Sequence, residues 1–435
     1  MNALPKSRAP RWFALRRRKL RPIVVAASLL ASIGLALAAP SEAGSATPEK
    51  ALFTSSFSVC YRAPALINSK GALTVIVERR FGYEKDVAAA ADLKPARRKV
   101  QRCTDSGSID LVARRSTDGG ETWSDLSVVV DHKTFMTDGY TVALAGNATL
   151  APAGDDNVLL VFSVNRSKGP RNSIRCVRFK ASDRAECDGV RAEQALWMSR
   201  SADGGRSWSK AEPLTFVGPS TRIKQPGPGH GVRLASGRIV VPAYPRLLLS
   251  DDGGRTWREG ATTHGEGALQ GGETVIGSPD GVRLVASLRP TGAAFQMTGD
   301  GRPYRISAVS LDGGETYASV TRDDDLSIPP VTPGFLVDGP VQALSHPTSD
   351  GPTNGRAKGR DRKDLTLSVS RDDGRTWSSC LIDRRGAGYS DLALVRAGQV
   401  AMVFEGALAP KDDYRAAIKF RALPLQPAGD ICLRP

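Results

Sequence analysis

A carboxylate and a guanidinium are placed at one end of a predicted β-hairpin. Glu273 opens a strand-like segment, a Pro-Asp-Gly turn follows at 279–281, and Arg289 ends the returning segment. A hairpin returns the chain to where it began, so both side chains are predicted at the same rim. A carboxylate there can take up a proton, and a guanidinium can bind an anion through forked, charge-assisted hydrogen bonds.

Two further arginines and a tyrosine stand in similar segments. Arg62 lies before a proline in a strand-like stretch, Arg362 precedes another such stretch, and Tyr389 lies within a third. Taken singly, each has an ordinary interpretation as a surface arginine or a core tyrosine. Taken together, three guanidiniums suit a ligand that carries a carboxylate.

An eight-residue pattern, S-x-D-x-G-x-[ST]-[WY], recurs five times and predicts the scaffold. The copies, called the five repeats below, occupy residues 116–123, 201–208, 250–257, 310–317 and 370–377. The Asp can accept the backbone N–H groups of its own turn, the Gly allows a positive φ, and the aromatic residue packs under the turn. The Asp residues are 85, 49, 60 and 60 positions apart, and these gaps fit one four-stranded unit each, with insertions.

Alternating apolar and polar residues precede most of the repeats, which is a strand signal. The clearest stretches are 110–114, 195–199, 304–309 and 365–369. Beyond the N-terminal apolar run, the sequence has no long helical period. We therefore predict an all-β fold in which six short-strand units close on themselves; an open solenoid is the structural alternative.

The repeats resemble the Asp-boxes, or BNR repeats, of the sialidase superfamily, where each joins the last two strands of a propeller blade. Segments that resemble those of sialidases follow in the same order around them: Y-R-A-P-A-L at 61–66, E-R-R at 78–80, the T-D-S-G-S-I-D-L-V-A-R-R-S run at 104–116, G-Y-S-D-L at 388–392 and F-E-G at 404–406. The resemblance covers roughly residues 53–405. It implies a six-bladed β-propeller with Asp-box hairpins and the activity of a retaining exo-sialidase.

The resemblance also implies substrate-binding residues. Arg62, Arg289 and Arg362 would clamp the carboxylate of sialic acid, and Glu405 would brace Arg62. Arg80 would lie at the edge of the pocket. Two assignments remain open. Asn147 would either face the pocket from a G-N loop or be an ordinary turn residue. Arg356 and Arg360 are nearby alternatives to Arg362.

The resemblance assigns the chemistry to three residues: Asp105 as acid/base, Tyr389 as nucleophile and Glu273 as its base. A neutral phenol avoids the repulsion that a carboxylate nucleophile would meet at an anionic sugar, and a paired carboxylate can take its proton. Asp86, 24 residues after Arg62, is a competing acid/base, and Glu266 is a lesser candidate for the base. This chemistry needs no metal or organic cofactor.

Residues 1–43 have the features of a secretory signal peptide. A basic segment precedes an apolar run at 23–39, and small-x-small cleavage sites stand at 36–38 and 41–43. The run of 17 residues is at the short edge of a membrane span, so an uncleaved anchor is the alternative. We therefore predict a secreted or periplasmic protein with one propeller domain at 44–435 and no stable membrane span.

Charge and cysteine content limit the possible partners. The formal net charge of +15 falls to about +8 without residues 1–43, and no aromatic-interleaved basic stripe occurs, so nucleic acid is not expected. The sequence contains no C-x-x-C motif and no spaced pair of histidines, so it does not indicate a metal site. Six cysteines in an exported chain favour disulfides, paired by proximity in sequence as Cys60–Cys103, Cys176–Cys187 and Cys380–Cys432.

The expected partners are sialylated glycoproteins, glycolipids or oligosaccharides, bound by a monomer. Two other functions remain open. One is a sialic-acid-binding propeller without catalysis, a lectin or adhesin. The other is a trans-sialidase, which transfers the sugar to another sugar instead of to water.

Overall fold

Strands make up nearly all of the regular structure. The computed structural model describes residues 47–81, 103, 105, 107–168, 192–218, 225–262, 269–291, 304–326, 328–329, 331–348 and 362–425. The helical elements within these residues are two 3-10 turns, His132–Phe135 and Tyr414–Ala416. The all-β prediction is confirmed. Within this part of the chain, no helix has the length and apolar character that crossing a membrane requires.

The chain forms 26 strands in the described ranges. The strands of the first half are β1 (Lys50–Thr54), β2 (Val59–Ser69), β3 (Ala72–Phe81), β4 (Ile109–Ser116), β5 (Ser127–Val130), β6 (Val142–Gly154), β7 (Asn157–Ser167), β8 (Ala192–Ser201), β9 (Glu212–Pro213), β10 (Gln225–Pro226), β11 (Gly229–His230) and β12 (Val232–Arg233).

The remaining strands follow in chain order. They are β13 (Ile239–Val241), β14 (Ala243–Tyr244), β15 (Arg246–Ser250), β16 (Arg258–Thr262), β17 (Gly271–Gly277), β18 (Leu284–Pro290), β19 (Arg305–Ser310), β20 (Ser319–Asp323), β21 (Gly334–Asp338), β22 (Val341–Thr348), β23 (Lys363–Ser370), β24 (Ser378–Arg396), β25 (Gln399–Gly406) and β26 (Ala417–Pro424).

Strands that are close in sequence pair antiparallel. The meanders are β2–β3–β4–β5, β6–β7–β8–β9, β12–β13–β15–β16, β17–β18–β19–β20 and β21–β22–β23–β24. The long β24 continues into a last meander, β24–β25–β26. β1 pairs with β26, with Lys50 opposite Phe420 and Thr54 opposite Ala417, so the first strand is joined to the last.

The apolar core lies between neighbouring sheets. Where the last meander packs against β2 and β3, the fully buried side chains include Leu66, Val75, Val403 and Phe420. Alternation along these strands places such residues on the inner faces. The innermost strand ends are thereby held on rigid elements, and the polar side chains at those ends are candidates for a site.

The five repeats form tight turns that satisfy their own polar groups. In the first, Ser116 Oγ donates to Asp118 at 2.7 Å and accepts from Gly120 N at 2.8 Å, while Thr122 N donates to Asp118 at 2.9 Å. The glycine pair Gly119 and Gly120 has φ values of 72° and 97°, which a residue with a Cβ adopts with strain. The same bonds recur in the other four repeats.

The Asp side chains of the repeats serve the turns. The Ser207 hydroxyl and then its backbone N–H lower the pKa of Asp203 to about 2, and the same groups of Thr376 do so for Asp372. The aromatic residue packs beneath, as with Trp123, whose ring lies 5.0 Å from that of Phe420. Each of these carboxylates is hydrogen-bonded within its own turn, which fits a structural use.

A cation from the preceding meander reaches the turn of each repeat. These contacts link Lys50 to the Gly120 carbonyl (3.0 Å), Arg115 to Gly204 (3.0 Å), Arg200 to Gly253 (2.9 Å), Arg238 to Gly313 (3.3 Å) and Arg283 to the Asp373 carboxylate (2.5 Å). Carbonyls at the end of a turn are ready acceptors for such donors. Each repeat therefore also fastens its sheet to the preceding one.

Candidate active site

A tyrosine and a glutamate meet where β24 and β17 approach each other. Tyr389 Oη lies 2.7 Å from Glu273 Oε1 and 2.8 Å from Oε2, and the hydroxyl donates to the carboxylate. Burial and the charge of Glu273 raise the pKa of Tyr389 above its ordinary 10, against the lowering by Arg289 and Arg362. The phenol is therefore neutral at neutral pH, with a proton acceptor already in contact.

Two further groups hold the Glu273 carboxylate. Arg289 Nη1 donates to Glu273 Oε2 at 2.8 Å and lies 3.4 Å from Tyr389 Oη, and Thr332 Oγ1 donates to the same Oε2 at 2.9 Å. Burial acts to raise the pKa of Glu273, but Arg289 and these hydrogen bonds outweigh it, so the pKa lies below its usual value. Glu273 is thus an ionised carboxylate beside a neutral phenol.

The predicted hairpin places Glu273 and Arg289 together. β17 and β18 pair from Gly271 opposite Pro290, and the register shifts between Gly271 and Thr274. A bulge of this kind re-aims a side chain next to an active site. Glu273 falls within it, and its carboxylate turns toward Arg289.

Arg62 and Glu405 form a buried ion pair. Arg62 Nε donates to Glu405 Oε1 at 2.6 Å, and the Ala63 and Tyr389 backbone N–H groups donate to the same carboxylate at 2.9 and 3.1 Å. Glu405 is fully buried and Arg62 is 8% exposed. Burial opposes the charge on Arg62, but the Glu405 carboxylate outweighs it and raises the pKa of Arg62. Glu405 therefore ties the strand of Arg62 to that of Tyr389.

Arg62 and Arg362 each lie against the rings of two tyrosines. The guanidinium carbons of Arg62 and Arg362 lie 5.6 and 5.3 Å from the ring centre of Tyr389, and 5.5 and 5.2 Å from that of Tyr414. Arg362 Nη1 also donates to Tyr414 Oη at 3.2 Å. Cations over aromatic faces are stabilised there. The structure thus brings Arg62, Arg289 and Arg362 together around Tyr389.

Tyr414 is a site residue that the sequence analysis missed. It begins the 3-10 turn Tyr414–Ala416, which Asp413 caps by accepting from Arg415 N. A Cβ on Gly388 would lie 2.2 Å from Glu405 and 2.6 Å from the Tyr414 ring, so only glycine permits this close approach. An aromatic residue just after an Asp cap was the available signal, and it is too common to single out Tyr414.

Arg80 and Asp105 form an ion pair at the end of β3, the strand that pairs with the strand of Arg62. Arg80 is buried and donates to Asp105 Oδ1 at 2.5 Å and to Glu78 Oε2 at 2.7 Å. Asp105 has a half-exposed side chain. The predicted disulfide Cys60–Cys103 is confirmed, with a Cα–Cα distance of 5.7 Å, and it holds the chain just before Asp105 against the strand of Arg62.

Asn147 lies in a bulge of β6 and not in a separate loop. Its φ is 54°, and the register shifts between Gly146 and Thr149. Asn147 N donates to Glu78 Oε1 at 2.7 Å, and Nδ2 donates to Gln225 Oε1 at 3.2 Å. Through Glu78, Asn147 belongs to the same polar network as Arg80 and Asp105.

Several predicted residues lie outside the described part of the chain. They are the alternative carboxylates Asp86 and Glu266, the alternative arginines Arg356 and Arg360, the signal sequence, and Cys176, Cys187 and Cys432. Cys380 is disulfide-bonded, and its predicted partner Cys432 is among these residues.

One group of side chains has the composition of a metal site. Ligand atoms of Asp110, Asp131 and His132 lie within 4.8 Å of one another. Asp110 is already bound by Arg79 at 2.6 and 3.1 Å and by the His132 backbone and ring at 2.8 and 2.6 Å. These bonds account for the cluster as an ion-pair network at the start of β4.

His230 and Asp391 form a hydrogen-bonded pair, and Asp391 lies two residues after Tyr389 in the sequence. His230 Nδ1 is 2.7 Å from Asp391 Oδ1, and Asp391 Oδ2 accepts from Leu66 N at 2.8 Å. Burial opposes charging the imidazole, but the Asp391 carboxylate outweighs it and raises the pKa of His230 above 6.5. The pair joins β11, β24 and β2 beneath the site.

We expect this pair to make stability depend on pH. A folded-state pKa above the unfolded value contributes stability that is full below pH 6.5 and is lost as the pH rises through the raised pKa. The thermal unfolding midpoint should therefore fall as the pH is raised above 6.5 and through the raised pKa of His230, and His230→Asn should flatten that fall. Parallel curves for the two proteins would show that His230 does not carry the effect.

A family model for a BNR repeat-like domain matches residues 100–402. The chain belongs to this family. Its curated relatives are sialidases, and the superfamily resemblance found in the sequence is confirmed.

Two of these relatives are identical to the chain at about a quarter of the aligned positions. A sialidase of Micromonospora viridifaciens is 26% identical over 325 residues, which cover 69% of this chain and 45% of the relative. Human sialidase-4 is 27% identical over 286 residues, covering 57% and 51%. The chain thus spans about half the length of these curated relatives.

Solved sialidases share the fold. The Hadza microbial sialidase Hz136 superposes with a TM-score of 0.58 at 18% identity, covering 84% of this chain and 66% of that one. A Trypanosoma rangeli sialidase in complex with sialic acid gives 0.57 at 16% identity, covering 89% and 59%.

Proposed function

We propose that the protein is a retaining exo-sialidase that removes terminal sialic acids from glycoproteins, glycolipids or oligosaccharides. One observation carries the proposal: the Tyr389 hydroxyl contacts both oxygens of Glu273, with Arg62, Arg289 and Arg362 around it. Sialidases with a tyrosine nucleophile are a known exception to the two-carboxylate scheme of glycosidases. The similarity to proteins named as sialidases supports sialidase activity.

Substrate binding is the task of the three arginines. The carboxylate of a sialic acid sits on its reacting carbon, so binding it orients that carbon toward Tyr389. Glu405 holds Arg62 at 2.6 Å and Glu273 holds Arg289 at 2.8 Å, which leaves other guanidinium N–H groups for the ligand. Because the clamp is built on strand ends, it is arranged before the substrate arrives.

Tyr389 attacks the anomeric carbon while Glu273 takes the phenol proton. A phenol with a raised pKa is a poor nucleophile alone, and the carboxylate in contact removes that barrier as the bond forms. The glycosidic bond breaks and the leaving oxygen takes a proton from the acid/base. This attack inverts the anomeric carbon. Water, whose proton goes to the acid/base, then displaces the tyrosine with a second inversion, and Glu273 returns the proton to the phenol, so the sugar leaves with its original configuration.

Asp105 is the proposed acid/base. Its half-exposed side chain is open to solvent, as an acid at the leaving group needs to be. Asp105 is paired with Arg80, so it reaches a leaving oxygen only when that pair opens. Asp86 remains the alternative, because a leaving-group acid need only reach the same oxygen.

The fold proposed for this site is a six-bladed β-propeller with Asp-box hairpins. Six four-stranded antiparallel units support it: the meanders that start at β2, β6, β12, β17 and β21, and the unit of β24, β25, β26 and β1. A first strand in the last unit closes such a ring and removes a free sheet edge. We propose further that the protein is exported through residues 1–43 and acts as a monomer.

A fluorogenic α-sialoside tests the activity. We expect the purified protein to release the fluorophore, and the Glu273→Gln variant to do so roughly 10²- to 10⁴-fold more slowly, since a proton acceptor is removed. Binding of sialic acid without release by the unmodified protein would contradict an enzyme and favour a lectin. Adding an acceptor glycan to the assay separates hydrolysis from transfer to sugar.

A further inference from the structure

Among the described residues, one buried arginine near the site forms its hydrogen bonds with neutral acceptors only. Arg305, the first residue of β19, is 1% exposed. Its guanidinium donates to Ser287 Oγ at 3.1 Å, to the Ser287 carbonyl at 3.1 Å and to the Val331 carbonyl at 3.3 Å. These acceptors are neutral, and the described residues place no carboxylate within ion-pair distance. A buried cation bonded only to neutral acceptors costs stability, and the carboxylates whose charges act on it from beyond ion-pair distance are Glu273 and Asp323, which lies opposite Arg305 on β20.

Arg305 supports two of the groups that hold Glu273. β18 and β19 pair up to Leu288 opposite Ile306, so Arg289 and Arg305 are the next residues at that end. The Val331 carbonyl that Arg305 binds precedes Thr332, whose hydroxyl donates to Glu273 at 2.9 Å. One guanidinium therefore braces both the strand of Arg289 and the segment of Thr332.

Arg305 also bears a charge close enough to act on the pair. Burial and the nearby Arg289 lower the pKa of Arg305 to about 9, and Glu273 acts to raise it. Arg305 therefore remains a cation at neutral pH. In a site with little water, a fixed cation favours the ionised form of a nearby carboxylate.

We propose that Arg305 is a positioning residue that keeps Glu273 ionised and aimed at Tyr389. The value of such a residue to catalysis rests on the proposed function, because only an ionised Glu273 can take the phenol proton. The hydrogen bonds of Arg305 go to neither Glu273 nor Tyr389. Its effect is transmitted through Arg289, Thr332 and the local field.

The pKa of Glu273 measures this role without any substrate. Protein labelled with ¹³C at glutamate carboxyls is titrated by NMR, and the Glu273 signal is the one absent from Glu273→Gln. We expect Arg305→Gln to raise the pKa of Glu273, and Arg305→Lys to leave it nearly unchanged because the charge is kept. Arg322→Gln, an exposed arginine on the adjacent strand β20, is the matched control and should change nothing.

Two results would overturn the proposal: an unchanged Glu273 pKa in Arg305→Gln, or an equal rise in the glutamine and lysine variants. Near-ultraviolet circular dichroism checks that each variant is folded. If Arg305→Gln does not fold, Arg305→Met serves as the neutral variant, and an unchanged Glu273 pKa there would overturn the proposal.

Kinetics then separate this inference from the proposed function. On a sialoside, the acidic limb of the kcat/KM profile should move up by the same amount as the Glu273 pKa in Arg305→Gln, and stay in place in Arg305→Lys. A limb that stays in place in Arg305→Gln while the pKa moves would overturn the catalytic part of the inference. If the unmodified protein cleaves no sialoside but the NMR shift is present, the proposed enzymatic activity is refuted. Arg305 then remains the residue that keeps Glu273 ionised.

Discussion

Tyr389→Phe should lose turnover of a sialoside by roughly 10³-fold or more while sialic acid still binds. The hydroxyl that contacts Glu273 at 2.7 and 2.8 Å is removed, so no nucleophile remains. The ring that stacks with Arg62 and Arg362 stays. Steady-state kinetics measure the first effect, and calorimetric titration with sialic acid measures the second, where less than a tenfold change is expected.

Tyr317→Phe is the matched control for this prediction. Tyr317 is the aromatic residue of the fourth repeat, where it packs against the apolar core and burial raises its pKa. Its variant should keep full turnover. Near-normal turnover in Tyr389→Phe would remove Tyr389 from the mechanism, and loss of binding in that variant would show that the hydroxyl serves the clamp instead.

Glu405→Gln should destabilise the protein by about 3–5 kcal/mol. The fully buried Glu405 is the counter-ion of Arg62 and accepts from two backbone N–H groups. An amide leaves the Arg62 charge buried without compensation and offers one oxygen in place of two. Urea denaturation measures the free energy of unfolding, and sialic acid affinity should fall with it because Arg62 is no longer aimed.

The double variant Glu405→Gln/Arg62→Met isolates the charge. Removing both partners of a buried ion pair costs less than removing one, so part of the lost stability should return while sialic acid binding stays lost. Glu121→Gln is the control, since Glu121 is an exposed partner of Lys50 at 3.1 Å and such pairs contribute little. If Glu405→Gln is as stable as the unmodified protein, the ion pair does not hold Arg62 in place.

Much of the fold follows from local sequence. The repeats carry their own turn chemistry, so each can be read without knowing its neighbours, and strand alternation before most of them fixes the class. The pairing of β1 with β26 could not be read in this way. It joins residues more than 350 positions apart, and no local pattern distinguishes that edge from any other.

The residues of the site also differ in whether local sequence or long-range packing determines their positions. Glu273 and Arg289 share a hairpin, so their contact is predictable from the turn between them. Tyr414 and Arg305 reach the site only through long-range packing, and each stands in sequence that is ordinary for a surface turn or a strand start. Asn147 was predicted in a loop because Gly-Asn favours turns, whereas here the positive φ makes a bulge inside a strand.

The configuration of the first sugar released tests the central claim most directly. Proton NMR during cleavage of an α-sialoside distinguishes the anomers of free sialic acid before they equilibrate. A retaining reaction through Tyr389 and Glu273 predicts that the α-anomer is formed first and the β-anomer accumulates later by mutarotation. A β-anomer formed first, or no release of sialic acid, would contradict it.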